Sequence, residues 1–384
     1  MQNNRNLSIA TKCIHAGQSP EQQTGAIMTP IFQNSTYAQE SPGIHKGFEY
    51  SRTQNPTRQV LEKCLAALEN AQYGHCFASG CAGITAILLG LNAQDHIIAM
   101  DDLYGGSSRL FNKVFSKFNL EFSYTDLSIT SNLEPLIKKN TKLIWIETPS
   151  NPLLKIVDIN KICHIAKSYN IDVVVDNTFA SPIWQNPLDL GASLVLHSTT
   201  KYIGGHCDVL GGAILTNSDA WHEKLSFLAN SIGATPSPFD CFLLLRGIKT
   251  LNIRMKQHME NAQKVAEFLQ EHPQIETVYF PGLQVHPQYN LAKEQMRGIP
   301  GVISFVTKNG LEKARRVCEK TKIFTCAESL GGVESLIEHP ATMTHASVDK
   351  NIRENLGIKD SLIRVSVGIE DLQDLLIDLE QALV

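Results

Sequence analysis

Short apolar runs that alternate with helical patterns constrain the fold of this chain more than any other feature. Five runs have the length and composition of buried strands, and they lie at residues 96–100, 143–146, 171–175, 194–196 and 211–215. Helical patterns occupy 107–118 and 159–169 between them. Strands that alternate with helices predict an α/β fold, in which helices flank a mostly parallel sheet.

Polar side chains follow four of these predicted strands. Tyr104, Asn151, Asp176 and Lys201 each come shortly after the end of an apolar run. In open α/β sheets, ligands bind beyond the carboxyl ends of the strands. We therefore expect these four side chains to converge at one edge of the sheet and to form a binding site there.

The segment 194–205 makes Lys201 the candidate for covalent chemistry. Its apolar strand is followed by three hydroxyl residues, then by Lys201, and two glycines close the segment. Hydroxyls beside flexible backbone suit phosphate oxygens, and burial lowers the pKa of a lysine amine, which favours imine formation. This pattern indicates a lysine that holds pyridoxal phosphate. A lysine that pairs with a carboxylate at the sheet edge is the alternative.

Other residues supply what pyridoxal phosphate requires of a protein. Asp176, at the end of a valine-rich run, can face the pyridine nitrogen, and a positive group should meet this buried charge. A glycine-rich turn before a helix offers backbone N–H groups to an anion. The predicted phosphate ligands are the amides of Gly80 and Cys81 and the hydroxyls of Ser198 and Thr200.

One further residue suits an amino-acid substrate, and another suits the cofactor ring. Arg364, within an apolar run, can bind a carboxylate in bidentate geometry. Tyr104 can stack on the cofactor ring. Each candidate also has a structural interpretation, since Asp176 can cap a turn, Tyr104 can be a core ring, and Arg364 can pair with Glu370 or Glu328.

The chain divides into three predicted regions. Residues 1–50 have no sustained periodicity and are interpreted as an extended arm that docks on another subunit. Residues 51–242 form the cofactor-binding domain, which begins with a helix over 58–70 that Thr57 caps. Residues 243–384 form a smaller α+β domain, with a long helix over 243–270 and strands at 301–306 and 362–367.

Composition excludes several classes of function. The chain has 384 residues, 43% of them hydrophobic, and a formal net charge of -4. Neither a basic block nor a long apolar run is present, so we expect no nucleic-acid partner and no membrane partner. The nine cysteines lack the spacing of a zinc site, so we expect free thiols and no metal. A start without an apolar segment predicts a cytoplasmic protein.

Ordered motifs along the chain resemble the trans-sulfuration, or Cys/Met metabolism, family of pyridoxal phosphate enzymes. The resemblance extends from about residue 11 to residue 384. The similar segments are 47–58, 77–80, 101–106, 176–178, 198–202, 237–241, 328–332, 340–347 and 362–368. It implies an aspartate aminotransferase-like fold of type I and a homotetramer built as a dimer of dimers.

The resemblance also implies a role for each site residue. Lys201 binds the cofactor and later shuttles protons, Asp176 faces the pyridinium, and Tyr104 stacks on the ring. The implied phosphate ligands are Gly80, Cys81, Ser198 and Thr200, joined by Tyr50 and Arg52 of a neighbouring subunit. The implied substrate contacts are Asn151, Ser329 and Arg364 at the carboxylate, with Arg52, Tyr104, Arg109, Glu328 and Glu49 elsewhere.

The implied reaction is γ-elimination of L-cystathionine to L-cysteine, 2-oxobutyrate and ammonia, with side release of hydrogen sulfide from cysteine. In this family an acidic residue at Glu328 accompanies γ-chemistry. Family members that act on methionine carry a cysteine where this chain has Gly106. The alternatives are γ-replacement on an activated homoserine and β-elimination. A different class of protein also fits the residues, one in which Lys201 is only a phosphate ligand, and such a protein is colourless.

Overall fold

A computed structural model of the chain describes residues 7–346, 348 and 350–384. The first six residues of the predicted arm and position 347 of the 340–347 motif lie outside the described residues. The described part contains two sheets, and both are covered by helices. Within the described part, no helix combines the length and the apolar character needed to cross a membrane.

The N-terminal region contains a helix that the sequence does not predict. Helix α1 (Ile9–His15) buries Cys13 against the following helix, α2 (Pro56–Leu68), and the amine of Lys12 donates to Asn70. Between the two helices the chain is largely exposed and has only isolated bridges. The expectation of an arm without regular structure is therefore wrong for 9–15, where burial of a short helix compensates for weak periodicity.

The cap of α2 also differs from the prediction. Asn55, not Thr57, is the N-cap residue, and its Oδ1 accepts the N–H groups of Thr57 and Arg58. The hydroxyl of Thr57 instead donates to the carbonyl of Pro30. Both residues are good caps by type, and the proline at position 56 favours Asn55 because proline suits the first position of a helix.

The larger sheet has seven strands in the spatial order β1-β7-β6-β5-β4-β2-β3. Neighbouring pairs from β6 to β3 are parallel, whereas β7 is antiparallel to both β6 and β1. This confirms a mostly parallel sheet. The bounds are β1 (Tyr73–Phe77), β2 (His96–Met100), β3 (Glu121–Thr125), β4 (Thr141–Glu147), β5 (Asp172–Asp176), β6 (Leu194–Ser198) and β7 (Gly212–Thr216).

Helices cover both faces of this sheet. Consecutive residues of β4 and β5 are buried in the same apolar cluster, so both faces of these strands are covered. This explains why the strands are continuous hydrophobic runs rather than alternating ones. The helices of this part are α3 (Gly80–Leu89), α4 (Gly105–Arg109), α5 (Ile159–Ser168), α6 (Ser181–Trp184), α7 (Asp219–Ile232) and α8 (Pro238–Ile248). Helix α4 continues as π-helical and 3₁₀ turns to Phe118.

The smaller sheet has five mostly antiparallel strands in the order β10-β11-β12-β9-β8. They are β8 (Ile275–Tyr279), β9 (Val302–Thr307), β10 (Thr325–Cys326), β11 (Leu336–Glu338) and β12 (Leu362–Ser366). The helices around them are α9 (Leu251–Glu271), α10 (Tyr289–Gln295), α11 (Gly310–Lys320), α12 (Lys350–Leu356) and α13 (Leu372–Leu383). An α+β C-terminal region is thus confirmed, and the three-region division of the chain stays a prediction.

The long helix predicted over 243–270 is two helices in the structure. Helix α8 ends at Ile248 and α9 begins at Leu251, with Lys249 and Thr250 between them. The buried guanidinium of Arg254 binds the carbonyls of Tyr202 and Gly247 near this junction. Tertiary contacts of this kind are invisible in the apolar periodicity, which runs through the break without interruption.

The replacement Asn55→Ala tests the junction between arm and domain. We expect the free energy of unfolding to fall by about 1–2 kcal/mol, because the helix cap is lost together with the amide that donates to the Phe32 carbonyl. Urea denaturation followed by circular dichroism measures this. Asn160→Ala, at an exposed position in the first turn of α5, is the control, and equal shifts in the two variants contradict the assignment.

Candidate active site

A cavity of about 330 Å³ lies at the carboxyl ends of β4, β5 and β6 and extends to the smaller sheet. Most of the residues selected from the sequence line it. They are Gly80, Cys81, Tyr104, Asn151, Asp176, Ser198, Thr200, Lys201, Glu328, Ser329 and Arg364. The four residues expected to converge from strand ends therefore share one cavity.

Lys201 lies in the turn after β6, and its amine points into this cavity. Its Nζ donates a hydrogen bond to Oγ of Ser329 at 2.6 Å. Burial, followed by the nearby positive charge of Arg364, lowers the pKa of Lys201 to about 8. Both causes disfavour the ammonium form, so about a tenth of this amine is a free base at pH 7. This fraction can act as a nucleophile.

Asp176 is the last residue of β5 and is buried. Its Oδ1 accepts the N–H of Thr178 at 3.1 Å, and burial raises the pKa of the carboxyl. Within the described part of the chain the hydrogen bond to Asp176 comes from a backbone N–H, so the positive group expected beside this carboxyl stays a prediction. A protonated pyridine nitrogen would supply the missing positive charge.

The N-terminus of α3 and the end of β6 form a close junction beside Lys201. A Cβ atom on Gly80 would lie 3.1 Å from Cβ of Ser198, so glycine permits this approach. The hydroxyl of Ser79 caps α3 through the N–H of Ala82, which leaves Gly80 and Cys81 at the cavity wall. Amides at a helix N-terminus with adjacent hydroxyls make a phosphate site.

Arg364 is almost fully buried on β12 and is held by three groups. Its Nη1 contacts Oδ1 of Asn151 at 2.8 Å and Oε1 of Glu338 at 3.0 Å, and its Nη2 donates to the carbonyl of Ser329 at 2.7 Å. The alternative partners considered from the sequence, Glu370 and Glu328, are wrong. Register explains the pairing, because Glu338 and Arg364 lie opposite each other on β11 and β12.

The same guanidinium has capacity for one more ligand. Its Nε is buried and has no hydrogen-bond partner within the described part of the chain. A buried, unpaired donor is costly, and a substrate carboxylate bound there would remove that cost. Ser329, which binds both Lys201 and Arg364, adopts a φ of 103°, a strained conformation of the kind found at functional sites.

Glu147 and Glu338 belong to the site although they were not selected from the sequence. Burial raises the pKa of both carboxyls. Glu147 ends β4 and accepts the N–H of Tyr104, and the only signal for it was a charge at the end of an apolar run. No sequence signal identified Glu338, because its role comes from a cross-strand partner 26 residues away.

Four selected residues do not line the cavity of their own chain. Arg52 donates to the carbonyl of Asn230 and lies over the ring of Tyr50, and Glu49 is near His45 at 3.4 Å. Arg109 is exposed at the end of α4. Its charge still acts on Cys81 and Tyr104, whose pKa values are raised chiefly by burial.

The arrangement fits pyridoxal phosphate. It combines a weakly basic lysine, a buried acid and a helix N-terminus with hydroxyls, which are the groups that this cofactor requires. Among the described residues, no cluster of three or more His, Cys, Asp or Glu side chains could hold a metal ion.

Comparisons with known proteins agree with this chemistry. The family described as Cys/Met metabolism PLP-dependent enzyme matches residues 10–384. The chain is 52% identical to a cystathionine gamma-lyase of Dictyostelium discoideum, with 98% of each chain covered. It is 53% identical to a cystathionine beta-lyase of Coxiella burnetii over 99% of each chain. A cystathionine gamma-synthase of Mycobacterium leprae is 50% identical, with 98% of this chain and 96% of that one covered.

A solved structure shows the same fold. The crystal structure of cystathionine gamma-lyase from Lactobacillus plantarum complexed with L-serine matches with a TM-score of 0.96. The two chains are 44% identical, and 98% of each is covered. The similarity therefore includes both sheets and the cavity between them.

The pH dependence of amine modification tests the state of Lys201. At pH 8 about half of this amine is neutral if its pKa is about 8, against about 0.4% for an ordinary lysine. Reductive methylation of the cofactor-free protein, followed by peptide mass spectrometry, should therefore show a Lys201 rate that levels off above about pH 9. The rate for Nα-acetyl-lysine amide should continue to rise, and parallel curves contradict the expected shift.

Proposed function

The chain belongs to the family of Cys/Met metabolism PLP-dependent enzymes, and from this premise we propose that it catalyses γ-elimination of L-cystathionine. It is a pyridoxal phosphate-dependent carbon–sulfur lyase. The proposed reaction converts L-cystathionine and water to L-cysteine, 2-oxobutyrate and ammonia. The Cγ–S bond of cystathionine breaks, and the amino group of the four-carbon fragment leaves as ammonia.

The cofactor supplies an electron-accepting ring conjugated to the substrate amino group. We propose that Lys201 holds its aldehyde, that Asp176 faces its pyridine nitrogen, and that the α3 N-terminus with Ser198 and Thr200 holds its phosphate. The buried position of Asp176 supports its part, because a carboxylate away from water strongly favours a positive partner. Tyr104 lies in the cavity wall, where its ring can cover the cofactor.

Arg364 and the residues that hold its guanidinium are proposed to orient the substrate. Arg364 binds the α-carboxylate through its unpaired Nε, and Asn151 and Ser329 fix the orientation of the guanidinium. Glu338 compensates the positive charge of Arg364 when no substrate carboxylate is bound. A carboxylate fixed on a rigid strand places the substrate Cα within reach of Lys201.

Lys201 is the proposed base for two successive proton removals. A γ-elimination requires loss of a proton from Cα and then from Cβ of the same substrate. The amine has the lowered pKa that a base needs near neutral pH. Its flexible side chain is anchored at Nζ through the Ser329 hydroxyl, and release of this hydrogen bond lets Nζ move between the two adjacent carbons.

The position of Glu328 is the observation that supports cystathionine as the substrate, and the family resemblance links an acidic residue at this position to γ-elimination. This carboxylate lines the same cavity as Lys201, and its charge acts on the Lys201 amine. Cystathionine has a second ammonium group at its far end, and a carboxylate near the mouth of the cavity binds such a group. Glu49, on the exposed arm, is a proposed second contact from a neighbouring subunit.

Two related reactions remain as alternatives. A relative at 53% identity is named a cystathionine beta-lyase, and one at 50% is named a cystathionine gamma-synthase. All three reactions begin with binding of an amino acid and loss of its Cα proton. They differ in whether the leaving group departs from Cβ or Cγ and in whether a second thiol enters, so the products distinguish them.

We further propose that the active site is completed by a second copy of this chain, within a tetramer. Tyr50 and Arg52 lie outside the cavity of their own chain, on a largely exposed arm. Arginine and tyrosine are good phosphate ligands, and an exposed arm can bring them to a neighbouring cavity.

The free thiols at exposed Cys207 and Cys326 suit a reducing compartment, and we place the protein in the cytoplasm.

Product analysis tests the proposed reaction. With L-cystathionine, the loaded enzyme should release 2-oxobutyrate and cysteine, and with cysteine alone it should release some hydrogen sulfide. Lys201→Ala should retain the fold by circular dichroism and show no turnover, because the base is lost. Pyruvate with homocysteine instead indicates β-elimination. Cystathionine formed from cysteine and an activated homoserine, with no cleavage, indicates the synthase.

Mixed oligomers test the shared active site. Lys201→Ala and Arg52→Ala chains, refolded together, should form hybrids in which one cavity has an intact Lys201 and receives an intact Arg52 from its neighbour. Activity should exceed the sum of the two variants refolded separately, since each inactive chain supplies what the other lacks. If the mixture shows only the sum, Arg52 serves its own chain.

A further inference from the structure

The carboxyl group of Glu147 lies within the site but has no role in the proposed reaction. It is buried at the end of β4 and lines the cavity. Its Oε2 accepts the backbone N–H of Tyr104 at 2.9 Å. This hydrogen bond joins a rigid strand of the sheet to the residue whose ring covers the proposed cofactor position, and Tyr104 directly precedes α4.

The ring of Tyr104 packs against the backbone of its own chain. A Cβ atom on Gly106 would overlap three atoms of that ring, so the ring rests against the backbone of residue 106. Tyr104 is 39% exposed, so the surrounding side chains alone do not fix its position. The hydrogen bond from its N–H to Glu147 is therefore a polar anchor of Tyr104 on the sheet. This anchor lies next to the hydrogen bonds that Asp102 accepts from Ser150 and Leu153.

Charge around Glu147 favours the protonated acid. Its register partner on β5 is Asp176, so two carboxyls lie side by side on parallel strands. Asp102, from the loop before α4, and Arg364 are the other charged groups that act on it. Two adjacent buried carboxyls do not both ionise, and Asp176 is the one that pairs with a pyridinium.

We propose that Glu147 is a positioning residue that carries a proton and holds the ring of Tyr104 over the cofactor through the Tyr104 backbone. The proton lies on Oε1, because Oε2 is the acceptor of the N–H. Burial and the charge of Asp176 raise the pKa of Glu147 well above its usual range, which agrees with a neutral acid. The inference rests on the proposed place of Tyr104 beside the cofactor and deepens it.

Binding of pyridoxal phosphate to cofactor-free protein tests this role without reference to turnover. Glu147→Leu keeps the approximate volume and removes the acceptor, whereas Glu147→Gln keeps a neutral acceptor for the same N–H. We expect Glu147→Leu to raise the dissociation constant about tenfold and to weaken the visible circular dichroism of the bound cofactor. Glu147→Gln should stay within about twofold of the wild type.

A double-mutant cycle separates positioning from a general structural effect. In a Tyr104→Ala background no ring remains to be held, so Glu147→Leu should change the dissociation constant by less than about twofold. Far-UV circular dichroism and the thermal midpoint of each variant monitor folding, and Glu147→Gln remains informative if the leucine variant does not fold.

Four outcomes overturn the proposal. Equal effects of Glu147→Leu in both backgrounds show that Glu147 does not act through Tyr104. A glutamine variant as weak as the leucine variant shows that the ionised carboxylate is required. If the leucine variant binds the cofactor as the wild type does while Tyr104→Ala binds it weakly, the role of Glu147 fails and the proposed place of Tyr104 stands. If Tyr104→Ala itself has no effect, it is the proposed place of Tyr104 that fails, and the proposal fails with it.

Discussion

Desolvation of charge at the carboxyl ends of β4, β5 and β6 is the constraint on which this site depends. Lys201 and Arg364 are both cationic groups in one small cavity, and their proximity helps to lower the pKa of the lysine. Glu338 compensates the arginine directly. A guanidinium keeps its proton in proteins, so the lysine is the group that gives up its proton. A nucleophilic amine near neutral pH is thus a consequence of where water is excluded.

The fold supplies this arrangement by joining distant parts of the chain. The larger sheet contributes Asp176 from the end of β5 and Lys201 from the turn after the adjacent parallel strand β6. The smaller sheet contributes Arg364 from β12. Ser329 links the two, since its hydroxyl accepts from Lys201 and its carbonyl accepts from Arg364. Relative movement of the two sheets would therefore change the pKa of the lysine and the carboxylate site together.

Much of this could be predicted from local pattern, and what could not has a common physical cause. The parallel strands were recognisable because both of their faces are buried, which makes them uninterrupted apolar runs. Edge strands such as β3, with an exposed face, and short strands such as β11 gave no comparable signal. Helix α1 depends on packing against α2, and the break at Lys249 lies beside the contacts of Arg254 with the carbonyls of Tyr202 and Gly247. Local periodicity does not reveal such tertiary contacts.

The site divides in the same way. Lys201, Asp176 and Tyr104 follow strand ends and were found by position, and motif resemblance added residues such as Ser329. Glu338 was missed, and Arg364 was given the wrong partners, because the register between β11 and β12 determines which side chains pair. The positive group expected beside Asp176 stays a prediction, and the proposed partner of that carboxylate is the cofactor ring itself.

The central claim is that the Lys201 amine holds the cofactor covalently. Borohydride reduction of the loaded protein fixes such a bond, and peptide mass spectrometry locates it. We predict loss of the visible absorption band and a pyridoxyl phosphate mass on the peptide that contains Lys201. The same mass on any other lysine, or reduced protein with Lys201 unmodified, would contradict the assignment of this residue and the mechanism built on it.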